Sequence, residues 1–288
     1  MPNYPTAPVS LVGYERALFG FLDSTGSFTG SQSTLANAAS SGAYVWTEVR
    51  TASYQPEAPV HLSLQGGDVI FNRIRFGNQL TQPFQIIGSS MDQTLSDLIS
   101  GATSNTNNTK FTLSALNNIQ PRPRSLCVML QSRAEGTDGS HYYATRIFPT
   151  CQVTIANNGP QYQGLADTVI DVTPSPTTKF INGMTFDATA GTGLAMTLYK
   201  NKTDHVYYYS ANPIHVMGFR QDGTATTFTT TYLPASSVIT LNATPNPFYI
   251  AATATALSSL STTTGLATLV AAGSAAVIDT LFYETTAY

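Results

Sequence analysis

Four histidines, His61, His141, His205 and His215, are the residues of this chain best suited to ligate a metal or move a proton. No His-x-His or His-x-x-x-His spacing occurs, so no single strand or helix brings two imidazoles to one metal. Asp204-His205 is the one neighbouring acid–histidine pair, and consecutive strand residues point to opposite faces, which makes Asp204 a poor orienting partner. Sugar cleavage would need two carboxylates in a cleft, and sequence alone does not place Asp68 with Glu135 or Asp167 with Asp171. Gly66-Gly67 reads as a turn, because no helix follows it to cradle a phosphate. There is no P-loop, dinucleotide fingerprint or Gly-x-Ser-x-Gly. The expectation is a protein that is not an enzyme, with no catalytic residues, no cofactor and no metal.

Cys127 and Cys151 are too few for a disulfide framework or a zinc site and read as two small buried hydrophobes. Three Asn-x-Thr triads, beginning at Asn107, Asn201 and Asn242, match the glycosylation pattern, which carries little meaning without a secretory signal. Met1 to Pro5 offers neither a basic segment nor a following apolar run. The Ala-rich stretch from Leu257 to Ile278 is interrupted by Ser258, Ser259, Ser261 and Thr262-Thr263-Thr264, well short of the ~20 apolar residues of a membrane span. A soluble protein made in a reducing cytoplasm is expected. Tyr207-Tyr208-Tyr209 reads as strand packing that seals an interface, ahead of a stacking platform for sugar or base.

Composition explains this shortage of chemistry. Charged residues are 10% of the 288 residues, against about 25% in ordinary soluble domains. Thr supplies roughly one residue in seven, and β-branched residues suit a pleated, half-buried surface. A net charge of −3 argues against a protein that coats nucleic acid through phosphate contacts. The length allows one large β domain or two smaller ones.

One helix stands out. Ser90 and Gln93 form a capping box, Asp92 complements the helix dipole, and Gly101 can end the helix in the left-handed region. Met91, Leu95, Leu98 and Ile99 fall at i, i+4, i+7 and i+8 and make one apolar stripe. So short a helix needs a sheet to lie on, with Leu95 and Leu98 buried against it.

The sheet is legible on both sides of the helix. Tyr44 to Tyr54 alternates as one half-buried strand; Val60–Leu64 and Val69–Phe76 form a ribbon turned at Gln65 to Asp68. The clearest hairpin runs from Leu126 to Ser132, turns near Glu135 to Gly139 and returns from Tyr142 to Ile155, with Pro149 implying an edge or a bulge. Asp167 to Val172 is a further strand, and Thr173 to Thr178 reads as a linker. Beyond it, strands are expected at Leu194–Lys200, Val206–Tyr209, Ile214–Phe219, Ala225–Tyr232, Val238–Leu241, Phe248–Ala252 and Ala276–Tyr283, with Leu257 to Val270 as a strand or a poor helix. The expected division is 1–178 and 179–288, the rival being a return of Ala276–Tyr283 to the first sheet.

This layout resembles the tail tube protein, or major tail protein, of long-tailed non-contractile bacteriophages. The matching parts are the ribbon ending in Arg75-Phe76-Gly77, then Phe84-Gln85-Ile86 leading into Ser90–Gly101, and Tyr143–Ile155 with its Phe148-Pro149 break. The resemblance covers roughly the first 175 residues. It implies a mainly β fold, a β-sandwich tube domain with one flanking helix, and subunits closing as hexameric rings that stack into a conduit for the genome. The residues after 178 would form an exterior β-rich domain. It further implies a virion location in the tail, partners that are other copies and tail proteins at the tube ends, DNA passing without specific binding, and no membrane. In that setting Met91, Leu95, Leu98 and Ile99 would form an assembly helix, and Asp68 and Glu135 would be acids of the lumen. The physics is compatible: long strands with few lysines are hazardous edges in a monomer, and pairing them around a ring removes the hazard. A capsid, decoration or receptor-binding sandwich would share the composition without needing the helix between ribbons.

Overall fold

In the computed structural model the described residues are 9–22, 28–29, 40–53, 60–66, 69–76, 82–89, 93–100, 103–104, 110–111, 125–157, 167–175, 206–220, 224, 226–235, 249–250, 257–269 and 278–286. The chain begins with β1 (Val9–Leu22), β2 (Phe28–Thr29), β3 (Ser40–Gly42), β4 (Tyr44–Trp46), β5 (Val49–Ser53), β6 (Val60–Gly66), β7 (Val69–Phe76) and β8 (Phe84–Gly88). Helix α1 (Gln93–Ser100) follows, then β9 (Thr103–Ser104), β10 (Lys110–Phe111), β11 (Ser125–Gly136), β12 (His141–Asn157) and β13 (Thr168–Pro174). The remainder contributes β14 (Val206–Ser210), β15 (Ile214–Arg220), β16 (Thr227–Thr229), β17 (Tyr249–Ile250), β18 (Leu257–Leu260), β19 (Leu266–Leu269) and β20 (Ile278–Glu284). The fold is mainly β, as composition requires.

The largest sheet has the order β2-β1-β11-β12-β13-β8-β5, with β4 added to β1 and β14 to β12. Its centre is the antiparallel hairpin β11–β12, turned through 137–140 with Gly139 at φ +79°, a conformation only glycine adopts without strain. Between Leu126↔Cys151 and Val128↔Phe148 the register shifts by one, so β12 carries the bulge that Pro149 foretells. That bulge also divides the far edge of β12: Tyr143–Ile147 pairs with β14, and Cys151 to Asn157 pairs with β13. A residue lacking an N–H costs no ladder bond at that gap. β1 shifts register twice against β11, once around Gly13, at φ +101°, and once between Tyr14 and Arg16.

Tyr44 to Tyr54, expected as one strand, is two. The chain breaks at Thr47-Glu48, so β4 pairs with β1 while β5 pairs with β8. Alternation reports which face a side chain takes and is blind to a corner in the strand. At this corner Trp46 lies against Gly88: a methyl at Gly88 would collide with the indole and come within 2.6 Å of the Glu48 carbonyl oxygen. Ser89 secures the contact from the other side, its N–H and hydroxyl donating to the Glu48 carbonyl (3.1 Å) and carboxylate (2.8 Å).

The inward residues of these strands share one core with α1: Phe19, Trp46, Phe84, Ile86, Leu126, Val128, Leu130, Phe148, Val153, Ile170 and Val172, joined by Leu95, Leu98 and Ile99. Phe84 and Phe148 meet with ring centroids 5.2 Å apart, within the range of a favourable aromatic pair. Cys127, Met129 and Gln131, alternating with the inward residues of β11, are also buried. Over them lies β15, whose Ile214 carbonyl accepts a 2.8 Å bond from Gln131 Nε2.

β15 belongs to a second sheet, β17-β20-β15-β3, and a third joins β16, β19 and β18. Of Leu257 to Val270, the described residues 257–269 form a hairpin: the Thr run forms its turn, and Gly265 at φ +68° begins the return. β6 and β7 pair with each other, as expected of the ribbon. The expected strands Leu194–Lys200 and Val238–Leu241 lie outside the described residues. Within Ala225–Tyr232 the strand is Thr227–Thr229, and of Phe248–Ala252 the described residues, Tyr249–Ile250, are strand as expected.

Backbone pairing crosses the boundary expected at residue 178. β14 joins β12, and β3 joins β15, while β20 pairs with β15 and β17 instead of returning to the first sheet. A chain ending at Thr178 is therefore expected to aggregate or to unfold well below the full chain, measured as soluble yield and melting temperature, because the far edge of β12 and the outer face of β11 lose their cover. Gly88→Ala is expected to cost about 1–3 kcal/mol through overpacking against Trp46, read as a lower urea midpoint at unchanged slope.

Candidate functional site

The stripe proposed for assembly folds inward. Leu95, Leu98 and Ile99 are buried, and the helix packs on β12, so three apolar positions at helical spacing become part of the core. Thr94 is exposed at the flank of the stripe. Met91, with Ser90, Asp92 and Gly101, lies outside the described residues, which begin the helix at Gln93.

Of the two candidate lumen acids, Asp68 lies outside the described residues. Glu135 stands near the end of β11, exposed, opposite His141 across the hairpin and beside Ser10 of β1. Its carboxylate is 3.8 Å from His141 Nδ1, with both side chains more than half exposed, an arrangement worth little when solvated. In the turn itself Asp138 accepts a 3.0 Å bond from the Ser140 N–H. That bond, with one from the Ser140 side chain, holds its carboxyl below the usual range.

Three other described carboxylates, Asp171, Asp167 and Glu15, serve to tie strands or adjacent residues together. Asp171 accepts 2.8 Å from Gln85 Nε2, its register partner on β8, and Asp167 pairs with Arg50. Glu15, at the second irregularity of β1, binds Arg16 at 2.8 Å and Arg133 of β11. The bulge turns one carboxylate toward two guanidinium groups, a use of the residue that composition alone does not reveal.

Among the described residues no group of three His, Cys, Asp or Glu is placed to hold a metal ion, and no helix is long and apolar enough to cross a membrane. Cys127 and Cys151 are buried free thiols, as expected, and burial pushes the Cys127 thiol far up. His205 is outside the described residues and the His61 side chain is not described. His215 is fully buried, a placement that its sequence context does not single out.

What remains on the surface is a sheet segment formed by the outer half of the hairpin. The β1 segment 9–13 runs along β11 on one side of it and β14 along β12 on the other. Among the described residues, no strand lies on the far edge of either segment. Leu11 and Val12 are 49% and 57% exposed there. Such an edge carries a row of backbone donors and acceptors available to another chain.

Comparison with protein-family models, with curated proteins and with solved structures gives no match for this chain.

The helix generates a direct test. Leu95→Ala is expected to cost about 2–5 kcal/mol by opening a cavity, measured by urea unfolding. Leu98→Asp is expected to yield no soluble folded protein, since an unpaired buried carboxylate costs several kcal/mol. A Leu98→Asp protein that melts like the parent would remove α1 from the core.

Proposed function

We propose that this chain is a structural virion protein of the tail tube type, which polymerises as stacked hexameric rings into a conduit for genome delivery. The observation that carries the reading is the pair of strand edges, β1 at 9–13 and β14, at opposite sides of one sheet segment. Two different edges that pair head to tail generate a ring where the rotation closes. Exposed Leu11 and Val12 give that contact apolar area, and a chain with only 10% charged residues has few side chains of the kind that block edge pairing.

Further support comes from the corner at Thr47-Glu48: β4 pairs with β1 and β5 with β8, so consecutive strands join opposite ends of the first sheet, and α1 lies on the shared core. We read this as a β-sandwich or barrel flanked by one helix, with the exposed face of α1 left for a neighbouring subunit. The β6–β7 ribbon, which pairs with itself alone among the described residues, suits an arm that gains its packing on another copy, since a lone hairpin is marginal in water. A net charge of −3 suits a bore through which DNA passes without being held, Glu135 and Asp68 being the acids assigned to it. Residues after 178 would then be displayed largely outside the tube.

Negative-stain electron microscopy of the purified protein, with light scattering on a sizing column, tests the reading. Rings of six-fold symmetry or stacked tubes are expected at high concentration, and Val12→Lys is expected to lower their yield at least tenfold without changing the melting temperature of the monomer. A protein that stays monomeric under every condition, or that assembles into shells or spikes, would favour a capsid, decoration or receptor-binding role instead.

A further inference from the structure

Gln131 and Thr145 are register partners on β11 and β12, so their side chains rise from the same face of the first sheet with Cβ atoms about 4.5–5.5 Å apart. That face is the one β15 covers. Both residues are fully buried, and so are Met129 and Ile147, the next pair on it. Gln131 Nε2 donates to the Ile214 carbonyl at 2.8 Å. A carbonyl oxygen can only accept, which fixes the orientation of the amide and leaves Gln131 Oε1 as an acceptor turned away from that bond.

Gln131 Oε1 and the Thr145 hydroxyl oxygen are both buried, and neither has a hydrogen-bond partner in the protein, each other included. The local backbone is committed elsewhere: at Thr145, β12 lies between β11 and β14 and is paired on both edges. Arg16, the register partner of Gln131 on β1, gives a guanidinium nitrogen to Glu15 at 2.8 Å. Two dry oxygens among apolar neighbours would each carry a desolvation cost. Buried polar groups in folded proteins are satisfied by other protein groups or by ordered water.

We propose that Gln131 and Thr145 hold one internal water between the two layers, bridging the glutamine oxygen to the threonine hydroxyl. Opposed side chains of this reach leave a gap that one molecule spans with about 2.8 Å on each side. The chemistry fits as well. Gln131 Oε1 needs a partner that carries a hydrogen, and water donates to it while bonding the Thr145 hydroxyl with its remaining capacity. A metal cation is a poorer occupant, because the pair offers two neutral oxygens and no carboxylate, and the cationic Arg16 stands in the same cross-strand row. Two partners are the fewest that internal waters usually keep, so each residue is indispensable to this one. Gln131 thereby becomes a positioning residue. With Oε1 tethered through the water to β12, its Nε2 is held toward Ile214, and the second sheet is fastened to both strands of the central hairpin.

The test compares the full chain with Thr145→Val, which keeps the branched shape and removes the hydroxyl, and with Thr145→Ser, which keeps the hydroxyl. Oxygen-17 magnetic relaxation dispersion counts long-lived internal waters, and urea unfolding reads stability. Thr145→Val is expected to lose one long-lived water and to lower the folding equilibrium constant at least about fivefold, since Gln131 Oε1 is left dry. Thr145→Ser is expected to keep the water. An unchanged count in Thr145→Val overturns the proposal, and so does a gain in stability, the sign expected when valine replaces a hydroxyl that had no partner. Should Thr145→Val fail to fold, density in a crystal structure of the parent decides. An ordered water within about 2.6–3.2 Å of both oxygens supports the bridge, and a direct contact or an empty gap overturns it.

Discussion

The register of the β11–β12 hairpin is the constraint on which the other elements depend. β1 is laid along β11, β13 and β14 divide the far edge of β12, one face of β11 forms the core with α1, and the other lies under β15. A slip of one residue would exchange Leu126, Val128 and Leu130 for Cys127, Met129 and Gln131 on the inner face. Gln131 would then sit in an apolar core without the Ile214 carbonyl. The turn at Asp138-Gly139 and the bulge at Pro149 fix that register from both ends, one by left-handed glycine and the other by a missing donor.

Local chemistry was legible in the sequence where it governs the outcome. The hairpin was read from its turn, the bulge from Pro149, the buried face of α1 from the spacing of Leu95, Leu98 and Ile99, and the thiols as interior from their small number. Two readings failed for one physical reason. The corner at Thr47-Glu48 and the turn within Thr262 to Thr264 lie in Thr-rich stretches, where β-branched residues suit a strand equally well on either side of a break. Long-range partners were invisible. Nothing in Ser40–Gly42 announces pairing with β15, and nothing in Val206–Ser210 announces pairing with β12, because period-2 alternation specifies a face and not a neighbour. The same limit hid His215, whose alternation reads like that of any strand residue.

Scarcity of charge has a structural counterpart in how the few charges are placed. Arg50 with Asp167, Arg133 and Arg16 with Glu15, and Gln85 with Asp171 link strands or adjacent residues near the sheet surface, while the cores hold almost none. Each such pair adds little stability by itself. Their value is in register, since a carboxylate at a bulge can be satisfied in only one alignment of β1 against β11.

The two-sided burial of β11 also shapes what can move. A strand covered on one face can lose its outer layer and remain folded if the inner face is sufficient, and the inner face here carries Phe19, Trp46, Phe84 and Phe148 with the helix residues. In the outer layers a smaller cluster joins Met217 and Tyr283 of the second sheet to Phe228, Leu260, Ala267 and Leu269 of the third, and the bonds from Gln131 and Ala43 reach the second sheet. Stability is therefore graded from inside out, and local opening belongs to the weaker layer.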